Sequence, residues 1–192
     1  MLLYPGPLSH RFHNAPADGC DFTCARLDFD GGARNPIARS LPPVIVLPLA
    51  RVDGLAPALD LLFAETERVR CGQRLLADRL FEVVLILLLR WLLDHPREAG
   101  VNPGLITGLS EPRLARALVA MHRAPGEPWP LARMAEQAGM SRTAFANTFR
   151  AVVGQTPADY LGDWRIALAQ SRLREGQAVK ALADELGYAS AS

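Results

Sequence analysis

The residues best suited to chemistry lie in one short stretch, Arg142 to Arg150, reading RTAFANTFR. At 3.6 residues per turn, Arg142, Thr143, Ala146, Asn147 and Arg150 share one face of a helix, and Phe145, Phe149 and Val152 share the other. Asn147 can make a bidentate pair with adenine, Thr143 can bond a base edge, and the methyls of Thr143 and Ala146 can meet a thymine methyl. Arg142 and Arg150 flank these groups and suit phosphates, where they would give salt-dependent affinity rather than base choice. Double-stranded DNA is the partner these five side chains fit. The competing reading is an ordinary helical hairpin with a solvated polar face.

The neighbouring residues supply the elements that would position this face. Leu131 to Val153, LARMAEQAGMSRTAFANTFRAVV, reads as a short helix, a turn at Ala138-Gly139-Met140, an N-capping Ser141 and a second helix ended by Gly154. That is the spacing of a helix-turn-helix. Leu131, Met134, Ala135 and Ala138 fall on one face of the first helix, with Ala135 small where the two helices would cross closely. Upstream, Glu111 to His122 repeats Leu114, Leu118 and Met121 at helical spacing until Pro125-Gly126 breaks it. Downstream, Pro157 suits the first turn of a helix reaching Arg174. A last helix, Ala178 to Leu186, runs into Gly187 and Tyr188.

The chain has 192 residues, 21 Lys+Arg against 20 Asp+Glu, 49% hydrophobic residues and three cysteines. This length supports one good-sized domain or two small ones with a real core. The composition excludes a disordered tail, a collagen-like fibre and a protein that coats nucleic acid through net charge alone. Residues 1–110 carry 11 basic and 12 acidic side chains, and residues 111–192 carry 10 and 8, so only the second part is locally basic. The odd cysteine count and the lack of an apolar signal core in MLLYPGPLSHRF point to a cytoplasmic location. Leu80 to Leu93, LFEVVLILLLRWLL, contains Glu82 and Arg90 and is shorter than the roughly 20 apolar residues of a membrane span. It reads as a buried helix, with no membrane partner.

The first half is expected to hold strands and then helices. Cys20 to Phe29 and Val44 to Leu47 read as strands, Leu55 opens a helical stretch, and a long helix runs from Gln73 to Asp94 until Pro96 stops it. Its Leu85, Leu88, Leu89 and Leu92 are candidates for a homodimer contact or for plain core. Glu98 to Gly108, rich in glycine, reads as the linker. The expected domains are therefore 1–97, a linker at 98–110, and 111–192. His10 and His13 would fall on opposite faces of a strand with no third ligand near, so no metal is expected. Cys20, Cys24 and Cys71 read as small buried hydrophobes rather than a redox switch. Trp164 beside Arg165 fits either a core Trp with a phosphate-seeking Arg or a packed Trp beside a solvated one. No nucleophile–base pair, carboxylate dyad or phosphate loop is visible, so neither an enzyme nor a cofactor is expected.

Three further segments, PWPLARMAEQAGMSRTAFANTFR, GQTPADYLGDWRIALAQSRLREG and VKALADELGYAS, together resemble the DNA-binding region of the AraC/XylS transcription regulators. The resemblance implies two helix-turn-helix units joined by the helix Pro157 to Arg174 and set in successive major-groove segments. It also implies Thr143, Ala146 and Asn147 as base-facing positions. Leu182, Ala183, Leu186, Gly187 and Tyr188 would belong to the first helix and turn of the second unit. The second recognition helix should follow Ser190, and the sequence stops at Ser192, which is expected to leave Leu182, Leu186 and Tyr188 short of cover.

LLYPGPLSHRFHNAP and CARLDFDGGARNPIARSLPPVIVLP resemble the second half of a cupin-like sensor domain found in one branch of that family. The expectation is an α+β chain: a partial cupin-like strand remnant, then a mostly helical region with the helix-turn-helix and its linker helix. It would be a sequence-specific regulator, truncated at both ends, that inserts helix 141–153 in a major groove and answers an unidentified small-molecule effector. The alternative is a truncated sensor or dimerisation module with little DNA binding of its own.

Overall fold

The structure, a computed structural model, describes residues 1–4, 9, 11, 29 and 35–188. The chain divides into two compact units, one built from Met1–Asp28 and Pro43–His95, the other from Phe29–Pro42 and Pro96–Ser192. Helices dominate and a small sheet completes an α+β fold. His10, His13, Cys20, Cys24 and almost all of the strand expected at 20–29 lie outside the described residues.

In the first unit, β1 (Leu2–Leu3) pairs antiparallel with β2 (Ile45–Val46), Leu2 opposite Val46 and Leu3 opposite Ile45. The Met1 ammonium donates to the Leu47 carbonyl at 2.7 Å and extends this pairing. Prolines at 42, 43 and 48 remove backbone donors on both sides, which keeps β2 short. α2 (Leu55–Thr66) packs against α3 (Gln73–Asp94), and Gln73 Nε2 closes the turn between them by donating to the Glu65 carbonyl at 2.8 Å. Leu55 and Leu62 of α2 and Leu88 and Leu92 of α3 are buried core residues. Two of the four residues proposed for a dimer contact, Leu88 and Leu92, are thus core. Cys71, expected to be buried, is an exposed free thiol.

The second unit contains α1 (Pro36–Ser40), α4 (Leu105–Ser110), α5 (Pro112–Arg123), α6 (Leu131–Ala138), α7 (Arg142–Val153), α8 (Pro157–Arg174) and α9 (Val179–Glu185). Its core gathers Leu105, Leu114, Leu118, Met121, Met134, Phe145, Phe149 and Tyr160. The stretch expected as a linker carries α4, with Leu105 and Ile106 buried. A Cβ on Gly108 would lie 2.8 Å from Leu118 and 3.0 Å from Val153, so a glycine that suggested a loose joint allows close packing instead.

The last helix is also better covered than the sequence suggests. Leu182 and Leu186 are buried, while Tyr188 is exposed. The loop around Gly126 lies directly against the Glu185 carbonyl and the Gly187 backbone, where no side chain could fit. Arg165 holds this loop: its Nε donates to the Pro125 carbonyl at 2.7 Å, its Nη2 to the Glu127 carbonyl at 3.0 Å, and its guanidinium lies over the Tyr188 ring. Arg165 is therefore neither phosphate-seeking nor merely solvated. Arg172 pairs with Glu185 and ties α8 to α9.

Candidate nucleic-acid interface

α6 ends because Gly139 takes a left-handed conformation, φ +64°, that other L residues rarely adopt. The Met140 N–H then closes the turn on the Ala135 carbonyl at 2.9 Å. Arg116, from α5, donates Nε to the Gln137 carbonyl and Nη2 to the Ala138 carbonyl, the latter at 2.9 Å. A cation on the last carbonyls of a helix satisfies otherwise orphaned acceptors and opposes the negative end of its dipole. Ser141 starts α7 by accepting from the Ala144 N–H at 3.3 Å, and Gly154, φ +82°, ends it.

The inner face of α7 is fixed by Phe145, Phe149 and Val153, all buried. Each phenylalanine contributes roughly 1.5–3 kcal/mol through burial. Their rings lie 5.5 Å apart, and Phe149 meets Tyr160 edge-on at 5.6 Å. Val152, placed on this face by periodicity, is only half-buried and Val153 takes its role. On α6, Met134, Ala135 and Ala138 are buried as expected, whereas Leu131 is exposed. This packing leaves Arg142, Thr143, Asn147 and Arg150 exposed and Ala146 half-buried between them. Four of the five expected site residues are therefore exposed on α7, with Ala146 between them.

Three supporting residues gave no sequence signal. Thr107 Oγ1 donates to the Val152 carbonyl at 2.8 Å, 45 residues away, and so satisfies an acceptor in the last turn of α7. Arg116 reaches carbonyls 21 and 22 residues downstream. Behind α7, His122 stacks on Trp164 at 3.8 Å and hydrogen-bonds the Tyr160 hydroxyl at 2.7 Å. Burial lowers the His122 pKa to about 4 and raises that of the Tyr160 phenol, so both groups are neutral near pH 7. Among the described residues no group of three His, Cys, Asp or Glu side chains could hold a metal ion. No helix among them is long and apolar enough to cross a membrane.

A short helix, a left-handed glycine turn and a second helix with a basic and amide-bearing outer face define a helix-turn-helix protein. A helix-turn-helix family profile matches residues 134–192, and a cupin profile matches residues 1–94. The chain is 36% identical over 163 residues to an AraC-like transcription regulator of Streptomyces antibioticus, covering 83% of this chain and 53% of that protein. It is 35% identical over 167 residues to an AraC-like transcription regulator of Streptomyces lividans, covering 85% of this chain and 54% of that protein. It is 31% identical over 177 residues to the HTH-type transcriptional regulator AlkR of Acinetobacter baylyi, covering 90% of this chain and 56% of that protein. The chain belongs to the AraC family of transcription regulators and carries a cupin-like N-terminal region. It spans about half the length of the curated relatives it matches. No solved structure matches it.

Proposed function

We propose that the chain is a sequence-specific, DNA-binding regulator of transcription that sets α7 in a major groove. The observation that carries this reading is the outer face of α7. Thr143, Ala146 and Asn147 form its middle and face the bases, while Arg142 and Arg150 bind phosphates on either side. The test is binding to duplex DNA across a salt series. Each arginine removed should lower the log–log salt slope by about one, whereas Asn147→Ala should leave the slope unchanged and weaken binding to the preferred sequence. Equal, weak binding by the native chain and by the double variant Asn147→Ala, Arg150→Ala at every salt concentration would refute it.

The chain pairs with a second copy through α3, in the cytoplasm, and its cupin-like region takes a small-molecule effector. Leu75, Leu76, Val83 and Ile86 support the pairing, because they are exposed on α3, with Leu75 and Ile86 opposite and Leu76 and Val83 beside the buried Val84, Leu88 and Trp91. Sedimentation of Val83→Glu with Ile86→Glu should give a monomer where the native chain gives a dimer. The second reading, a sensor or dimerisation module that does not bind DNA, rests on the same exposed residues. It gains only if dimerisation persists and salt-dependent DNA binding is absent.

A further inference from the structure

Residues 35–42 fall inside the stretch matched by the cupin profile, yet by packing they belong to the unit that holds α7. Asn35 caps α1 by accepting from the Ile37 N–H at 2.9 Å, and the helix delivers Ser40, 1% exposed, to the start of α4. There Ser40 Oγ accepts from the Leu105 N–H at 2.9 Å while donating to the Pro36 carbonyl at 2.8 Å. The Ser40 carbonyl accepts from the Asn102 N–H at 3.1 Å. Arg39 pairs with Asp163 on α8 at 3.1 Å, a contact spanning 124 residues of sequence.

α4 in turn holds the end of the recognition helix. Its Thr107 hydroxyl accepts from the Gly104 N–H at 2.8 Å and donates to the Val152 carbonyl at 2.8 Å. A Cβ on Gly154 would lie 3.3 Å from Pro103, so the chain just before α4 also abuts the cap of α7. A cavity of about 100 Å³ is lined in part by Ser40, Gly104, Gln155 and Tyr160. On its other side the segment continues through Pro42 into β2 of the first unit.

We propose that residues 35–42 are a regulatory strap: seated on α4, they fix the last turn of α7, and their withdrawal from that seat loosens α7 and lowers DNA affinity. The bonds run from Ser40 to Leu105, through α4 to Thr107, and from Thr107 to Val152. The affinity part of the proposal rests on the DNA-binding reading above; the α7 part does not.

Two variants of the full chain mimic withdrawal by different means. Ser40→Ala removes the acceptor for the Leu105 N–H. Gly104→Ala keeps every hydrogen-bonding group but places a Cβ 2.3 Å from Ser40 Oγ, on a backbone of φ 167° that any residue adopts. Amide hydrogen exchange in α4 and at residues 150–154 should rise roughly five- to tenfold in both, as for one lost hydrogen bond. Exchange in α2 and α3 should be unchanged, and duplex-DNA affinity should fall by a similar factor. Faster exchange confined to 35–42 and α4, with the last turn of α7 unchanged, overturns the strap. So does faster exchange at α7 with unchanged affinity. If the native chain shows no salt-sensitive DNA binding, the DNA reading fails while the exchange pattern still decides whether the strap holds α7. Should either variant unfold, Arg39→Ala, which breaks only the exposed pair with Asp163, replaces it and must give a smaller change at the same amides.

Discussion

α7 and α3 bury apolar surface in contrasting ways. α7 places two phenylalanines and a valine inward and keeps its polar residues outward, so the pattern of residue types fixes the orientation of the helix. α3 mixes apolar and charged residues on its outer side, where Arg79 and Glu82 form an exposed ion pair. It buries Leu80, Val84, Leu88, Trp91 and Leu92 and leaves Leu75, Leu76, Val83 and Ile86 exposed. An amphipathic helix declares its inner face, whereas a helix with apolar residues on several sides has its contact face chosen by its neighbours. The first presents a defined polar surface, proposed above to meet DNA, and the second a mixed apolar and charged one, proposed above to meet another copy of the chain.

Substitution should separate the two helices most sharply in stability. Phe149→Ala should cost about 3–5 kcal/mol in urea unfolding, since it leaves a cavity beneath α7. Ile86→Ser should change the stability of the monomer by no more than about 0.5 kcal/mol. Equal costs would erase the contrast. Acid comes next. The unfolded chain protonates its histidine near the ordinary value of 6.5, whereas burial holds His122 down to about 4. The folded state therefore binds fewer protons between those values, and stability present above pH 6.5 is lost as the pH falls towards 4. The urea midpoint should follow this fall, and His122→Phe should flatten it.

On the outer face of α7 the effects should fall on binding rather than on folding. Asn147→Ala should weaken specific DNA binding by about 1–3 kcal/mol while leaving the unfolding midpoint in place. A matching loss of stability would mean that Asn147 belongs to the packing and not to the interface. The smallest effect is at the cap. Ser141→Ala should cost about 1 kcal/mol or less, because its bond to the Ala144 N–H is long at 3.3 Å.

Much of the second unit was legible in local patterns. Gly139, Ser141, Gly154 and Pro157 mark ends of α6, α7 and α8, because capping and φ restraints act within one turn of the residue that causes them. The span of α3 was equally plain from its unbroken helical run between Gly72 and Pro96. Its contact face was not: Leu88 and Leu92 satisfy an interface pattern and a core pattern equally well. The glycines of 98–110 were misleading for a related reason, since a glycine that loosens a joint and one that lets Leu118 and Val153 approach look alike in sequence.

The sequence by itself determined the helix-turn-helix, the side of α7 that faces outward and the five residues on or beside that face, all through short-range periodicity and capping. The tertiary structure decided what holds α7 and its neighbours in place. Arg116 on the turn carbonyls, Thr107 on Val152, Arg165 on the loop that covers α9, and Ser40 at the start of α4 are contacts between residues 21 to 65 positions apart. Such a bond depends on where two distant backbones come to rest, and nothing in the local pattern around either partner specifies the other.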